Sequence, residues 1–425
     1  MPSTTSSGSQ YSATSMSQVS DSSTAEWEHE AFETFQSRVV DLFNTEFWIP
    51  GYSASTIRVE RMQGGGFNRV IGVTIETESE EDFNVILRIP RMDEDLLEHD
   101  VGILEFVADR TSIPVPRVLS FDKGYDNPIA CPYAVHARIP GETLTKTYPH
   151  LTHQQRCSVA EQLGQAYREM LELRSAVPGR LNSGLGPELF VSSLQNMSWD
   201  SDYPIFHTPY HHGQPPAWSI KDMLTARFDF LKSRFLEKLP LNFYTQDTLD
   251  RFIRMTAELD KMGCFRDHFY SIVHTDLQPR NVMATPDTEG EGVKITILDW
   301  DGAVFAPMFS TCSPPQWIWD WKDDEEDDEY YANDVPKTQE NRELKQIFED
   351  AAGPDFKRWA YGDANRLARR LTRFAYEGLV TNEHYREAEA MLTEWAALYD
   401  SRFPKPAPGL LEKAMSAAKW FYAWE

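Results

Sequence analysis

Residues 271–302 read SIVHTDLQPRNVMATPDTEGEGVKITILDWDG, and the order of residue types in this stretch decides the fold. Val282 to Thr285 is a short β-prone run, Pro286 to Gly292 supplies turn residues, and Val293 to Leu298 alternates β-branched side chains. The three together predict a β-hairpin. A hairpin sets the residue entering its first strand beside the residue leaving its second, so Asn281 and Asp299 are expected to meet at its open end. An amide oxygen and a carboxylate converging there make a hard-oxygen site suited to Mg2+, which takes few protein ligands and completes its shell with phosphate oxygens. His274-x-Asp276 lies in the loop just before, five residues ahead of Asn281, where Asp276 would accept a proton from a substrate hydroxyl. One Asp for the nucleophile, with an Asn and an Asp for the metal, is the phosphoryl-transfer pattern. The competing reading is a set of polar residues capping turns. Placement after a strand and before Ile297-Leu298-Asp299 weighs against it.

Upstream, the chain changes texture twice. Phe32, Phe35, Val39 and Leu42–Phe43 recur at helical spacing. Short strands follow at Ile57 to Met62, Arg69 to Ile75 and Asn84 to Ile89, with Gly64, Gly65 and Gly66 between the first two. A helix is predicted from Asp93 to about Asp109, ended before Ile113-Pro114-Val115-Pro116, because proline cannot continue a helix. Val118 to Phe121 and Tyr133 to Ile139 read as two more strands. After Gly141 the pattern is mainly helical: Val159 to Leu171, Ile220 to Met262, and Asn341 to Trp424, with an irregular Pro/Gly/Ser/His-rich insertion over 180–218. The expected class is α+β. A small antiparallel-sheet unit at 26–139 precedes a larger helical unit at 140–425 that carries the embedded hairpin.

Composition narrows the function. Forty-one Lys and Arg against 66 Asp and Glu give a net charge of −25 in 425 residues. Such a chain repels phosphate backbones, and no basic stripe offsets this, so a nucleic-acid partner is not expected. No apolar run reaches the roughly 18 residues of a membrane span. Fourteen of the first 24 residues are Ser or Thr and no Lys or Arg precedes Arg38, which predicts a disordered tail over 1–25 with no secretory or mitochondrial leader, and a cytoplasmic location. Cys131, Cys157, Cys264 and Cys312 form no Cys-x-x-Cys pair and show no His at metal-ligand spacing, so they read as inert thiols. Asp320 to Glu329 holds eight acids and one lysine, a solvated loop or a feature for a cationic substrate. Oligomeric state is left open.

VHTDLQPRN followed by ILDWDGA resembles the aminoglycoside phosphotransferase and choline kinase-like family, especially its filamentous-fungal members. The likeness extends over roughly 57–310, with TSIPVP at 111–116 and PYAVHARIPG at 132–141 agreeing in order and spacing. It implies a bilobal, protein-kinase-like fold and transfer of the γ-phosphoryl of ATP to a hydroxyl of a small molecule. By this resemblance Asp276 is the base, His274 supports its loop, Asn281 and Asp299 bind magnesium, and Asp301 has a supporting role. Gly64, Gly65, Gly66, Phe67 and Asn68 would line the ATP phosphates, and the backbone of Val135, His136, Ala137 and Arg138 would face adenine. The family's phosphate-binding lysine is replaced here by Arg88 in VILRIP. Its planar fork keeps the charge but changes the geometry. Glu98 is the preferred helix acid to pair with Arg88, ahead of Asp100 and Glu105. Acceptor specificity would come from the helical segments 180–265 and 317–425, and the acidic balance favours a cationic acceptor. Two other functions compete: a nucleotide-binding regulator without catalysis, and a protein kinase, against which the short segment from Asp299 to Trp317 with no Ala-Pro-Glu argues.

Overall fold

The strand Phe83–Pro90 alternates sides as its sequence demands: Val85, Leu87 and Ile89 are buried, and their neighbours are partly exposed. The computed structural model describes residues 30–46, 54–62, 68–77, 82–91, 97–182, 190–192, 207–209, 218–238, 243–266, 269–287, 292–322, 329–379 and 381–403. They group into two compact units. One lies within Met1–Arg110, Pro114–Gly141 and Thr296–Asp301, and the other within Thr111–Ile113, Glu142–Ile295 and Gly302–Glu425.

The first unit is an antiparallel sheet with two helices packed against it. Helix α1 (Phe32–Thr45) precedes β1 (Ala54–Arg61), β2 (Asn68–Thr77) and β3 (Phe83–Pro90), and helix α2 (Leu97–Arg110) precedes β4 (Val118–Asp122) and β5 (Tyr133–Ala137). The sheet order is β1-β2-β3-β5-β4, with Val70 opposite Arg88 and Leu87 opposite Val135. The helical spacing of Phe35, Val39, Leu42 and Phe43 puts all four on one face, packed with Ile71, Val73, Val85, Leu87 and Val135. Each such burial contributes about 1.5–3 kcal/mol. The predicted meander of three strands is present, and α2 is described from Leu97, the preceding 92–96 lying outside the described residues. Thr296–Asp301 joins this unit although the sequence placed its whole neighbourhood in the helical part. The Ile297 amide donates to the Pro114 carbonyl at 2.8 Å, one of the bonds that hold it there.

The second unit contains β6 (Glu142–Thr143), α3 (His153–Glu172), β7 (Arg174–Ser175), and three short strands β8 (Arg180–Asn182), β9 (Phe190–Ser192) and β10 (His207–Pro209). The helices α4 (Ile220–Lys238) and α5 (Phe243–Lys261) lie within the helical stretch expected over Ile220 to Met262. Strand β11 (Tyr270–Val273) follows, then β12 (Val282–Pro286), β13 (Val293–Ile297), whose last two residues count with the first unit, and β14 (Val304–Pro307). The strand-rich patch thus divides between two sheets: β11 pairs with β14 and β7, while the hairpin strands order as β13-β12-β6. Helices α6 (Gln339–Ala360), α7 (Asp363–Glu377) and α8 (Asn382–Arg402) close the described part.

Helix α3 begins at a capping box, in which the Thr152 hydroxyl accepts from the Gln155 amide and the Gln155 side chain accepts from the Thr152 amide. Its apolar face (Val159, Leu163, Tyr167, Met170) meets Phe348 and Phe356 of α6, both rings edge-on to Tyr167. Gly164 permits the close approach: a Cβ there would lie 2.5 Å from the Phe348 carbonyl oxygen. Most of the acidic stretch, 323–328, lies outside the described residues. No described helix is long and apolar enough to cross a membrane.

Candidate active site

Strand β11 delivers the chain into a loop that is closed by its own polar groups. His274 is buried directly after it, and its Nδ1 accepts the Asp276 amide at 3.3 Å. This geometry puts the ring proton on Nε2 and leaves Nδ1 as the acceptor. The Asp276 carbonyl accepts the Gln278 amide at 3.0 Å and the Asn281 Nδ2 at 2.8 Å, which turns the chain sharply into a single 3-10 turn at Pro279–Asn281. The other bond from Asn281 Nδ2 goes to Asp276 Oδ2 at 2.8 Å, while Arg280 Nη2 donates to Oδ1 at 2.6 Å. Both carboxylate oxygens therefore have a fixed bearing. Because Nδ2 is the Asn281 group turned inward, its Oδ1 is the atom left to meet a cation.

The second cluster belongs to the first unit. Arg88, on β3, reaches Asp301 Oδ2 at 2.5 Å and Asp299 Oδ1 at 3.5 Å, and Asn68 Nδ2 donates to the same Asp301 oxygen at 2.9 Å. Burial opposes the Arg88 charge, but Asp301, Asp299 and Asp100 outweigh it and raise its pKa above the ordinary arginine value. Asp299 has φ of 62°, in the left-handed region that side chains other than glycine enter at a cost of order 1 kcal/mol. Functional positions commonly carry such an expense. Asn281 precedes β12 and Asp299 follows β13, the paired strands of the hairpin, and each carries an oxygen of the kind magnesium takes. On β5, His136 is 5% exposed, and burial, with Arg88 adding, depresses its pKa to about 3. It is neutral at ordinary pH.

Three expectations change. Glu98 does not serve Arg88: it binds Lys123 at 3.0 Å, and the α2 acid acting on Arg88 is Asp100. Two residues apart on a helix point about 200° from one another, so only one of the pair could face β3. The backbone expected to face adenine is occupied by the sheet. β5 is paired on both sides, and the amides of Ala137 and Arg138 are spent on the Arg117 and Asn84 carbonyls. Val135 and His136 are inside the ladder and the Arg138 side chain pairs with Glu60, so Ile139–Gly141 is the first backbone beyond the sheet. Asp301, given a minor part, is the hub on which Arg88 and Asn68 converge. The Asp-x-Asp spacing at 299–301 was its only sequence signal. Gly64 to Phe67 lie outside the described residues; Asn68 is described, and buried.

A cavity of about 720 Å³ opens within the second unit against His274, Thr275, Leu277 and Gln278 of the loop. Its far wall is the charged face of α7 and α8: Arg366, Arg369, Arg370 and Arg373 against Glu377, Glu387 and Glu394, with Glu329 completing four acids for four bases. Arg369 is fully used, on Glu329 and on the Trp359 and Ala360 carbonyls, whereas Arg370 meets Glu387 and Glu394 only at 3.6 Å. The Glu377 carboxyl is pushed up by burial, with Glu387 adding to it against Arg373 and His384.

A family model described as the phosphotransferase enzyme family matches residues 59–310. Two curated relatives, subtelomeric hrmA-associated cluster proteins from two strains of Aspergillus fumigatus, are 20% identical over 323 residues, covering 60% of this chain. The match spans about 60% of the length of those relatives. Among solved structures, the ADP-bound aminoglycoside phosphotransferase APH(2'')-Ib is 11% identical with a TM-score of 0.47, over 85% of this chain and 98% of that one. APH(4)-Ia is 14% identical with a TM-score of 0.46, over 87% and 99%.

Proposed function

The chain belongs to the phosphotransferase enzyme family, whose model spans more than half of it, and on that premise we propose that it moves the γ-phosphoryl of ATP to a hydroxyl of a small-molecule acceptor. The observation that carries the reading is the Asp276 carboxylate, gripped on one oxygen by Asn281 and on the other by Arg280 beside a cavity of about 720 Å³. Thr275 and Leu277, on either side of Asp276, line that cavity, from which an acceptor would bring its hydroxyl to Asp276. The hydroxyl oxygen attacks the γ-phosphorus, its proton passes to the Asp276 carboxylate, and the bond from phosphorus to the β-bridging oxygen breaks to release ADP. Asn281 and Asp299 would hold magnesium, which neutralises phosphate charge when bound. Arg88, kept charged by its carboxylates, adds a fixed cation for the phosphates, with Asn68 and the glycine segment before it as further contacts. A cationic acceptor would meet Glu377 and Glu387 on the cavity wall only in exchange for their arginine partners.

The test is acceptor-dependent ADP formation across a panel of hydroxyl metabolites with wild type and Asp276→Asn. Turnover should fall about 10²-fold or more in the variant, within the range of general-base contributions, with ATP affinity nearly unchanged. Equal turnover at saturating acceptor removes Asp276 from the role. Failure of ATP with Mg2+ to raise the unfolding temperature at any concentration would end the nucleotide reading altogether.

A further inference from the structure

The thiols looked inert from sequence because Cys157 has no cysteine partner and no obvious histidine. On a helix, however, His153 and Cys157 are one turn apart, and a spacing of four is a ligand spacing there, as in His-x-x-x-His metal helices. His153 is the first residue of α3 after its cap, and the first turns of α6 bring Glu343 across to it. The His153 Nε2 lies 3.0 Å from Glu343 Oε2 and 3.5 Å from Cys157 Sγ, and the three ligand atoms all fall within 4.8 Å of one another.

Those separations carry chemical meaning. Zinc bonds of about 2.0–2.3 Å in a tetrahedron put neighbouring nitrogen, oxygen and sulfur ligands roughly 3.3–3.7 Å apart. Two of the edges, 3.0 and 3.5 Å, lie close to that figure and the third is no longer than 4.8 Å, so small side-chain rotations would complete the site. A surface histidine–glutamate pair would account for the 3.0 Å contact but not for a thiol turned to the same nitrogen. The backbone beneath is fixed by the contact at Gly164, where a Cβ would meet the Ala351 Cβ at 2.6 Å, so the two helices cannot drift apart at little cost. A cavity of about 660 Å³ borders Cys157, with Gln154, Glu161 and Asp350 on its walls, and offers an approach to the sulfur.

We propose that His153, Cys157 and Glu343 form a three-ligand site for a zinc-class divalent ion, with the fourth position open to water. Binding exchanges the thiol proton for the metal bond, and thiolate plus carboxylate neutralise the ion's two charges. Soft sulfur with imidazole selects zinc, cobalt or copper over magnesium, so the site would not compete with the one assigned to Asn281 and Asp299. Its consequence is structural: it clips the leading ends of α3 and α6.

Full-length protein freed of metal with a chelator, then titrated with Zn2+ against a chromogenic chelator, should take up one tight equivalent. Cys157→Ser and His153→Ala should each lose that equivalent, and Glu343→Gln should weaken it at least about tenfold. Cobalt in the wild type should give a thiolate-to-cobalt charge-transfer band that Cys157→Ser abolishes. This band needs no variant to exist in the wild type, so a folding defect in a variant does not blur the result. No band, or the same zinc uptake in wild type and Cys157→Ser, overturns the site.

Discussion

Arg280 and Asp276 sit four residues apart on one loop with 55 and 41% of their side chains exposed, whereas Arg88 and Asp301, 213 residues apart, keep only 17 and 20% exposed. The chemistry is the same guanidinium–carboxylate contact. In the loop, solvent screens the charges and the neighbours are covalently close, so the contact orients a carboxylate without adding much to stability. Around Arg88 the pair is mostly dry and the partners are brought together only by the fold. There the contact is part of what ties Thr296–Asp301 to β3, and either partner left alone is a buried charge.

The largest expected effect tests that contrast directly. Asp301→Ala should destabilise the protein by about 3 kcal/mol in urea unfolding at neutral pH, the low end for breaking a buried pair because Asp299 remains 3.5 Å from Arg88. Arg280→Ala should cost less than about 1 kcal/mol in the same measurement, as exposed pairs do, while still lowering turnover by loosening Asp276. Equal stability losses for the two would erase the distinction between a structural and an orienting pair.

The same contrast governs what could be read from sequence. The hairpin, the three-stranded meander and the α1 face were legible because each depends on alternation or helical spacing within about ten residues. The loop after β11 was open to reading for the same reason, since Asp276 and Asn281 interact at a separation of five residues, while the part of Arg280, four residues from Asp276, went unnoticed. Asp301 was undervalued because its partners, Arg88 and Asn68, are 213 and 233 residues away. Glu98 was chosen over Asp100 by counting, and a register of two residues on a helix cannot be fixed without knowing which face meets the sheet. The metal-ligand spacing of His153 and Cys157 became visible only once the capping box fixed where α3 begins and Glu343 came across from α6.

A smaller effect should appear on acidification. His136 has a folded pKa of about 3, lowered first by burial and then by Arg88. Its unfolded value is about 6.5, so below that pH the unfolded chain binds a proton that the folded protein does not. Stability from this source is fully present above pH 6.5 and is lost as pH falls towards 3, by about 1 kcal/mol per pH unit. His136→Gln should therefore shrink the difference in urea stability between pH 7 and pH 5 by about 1–2 kcal/mol. An unchanged difference would mean that burial on β5, with Arg88 adding to it, does not hold His136 neutral.

The smallest effect separates the two acids of α2. Glu98 is 38% exposed and bound to Lys123, itself 57% exposed, so Glu98→Gln removes a screened surface pair and should alter stability by no more than about 0.5 kcal/mol. It should leave the ATP constants of the proposed reaction within about twofold, since the charge on Arg88 is held by other carboxylates. Asp100→Asn acts on Arg88 through space, behind Asp301 and Asp299 in strength, and should raise the ATP KM modestly while leaving the fold intact. The sign follows from charge: removing an acid that helps to hold Arg88 frees its guanidinium to move from the position the phosphates require. Steady-state ATP kinetics for the two variants decide between them. A larger KM change in Glu98→Gln than in Asp100→Asn would return the pairing role to Glu98 and require α2 to turn by about half a rotation in the working enzyme.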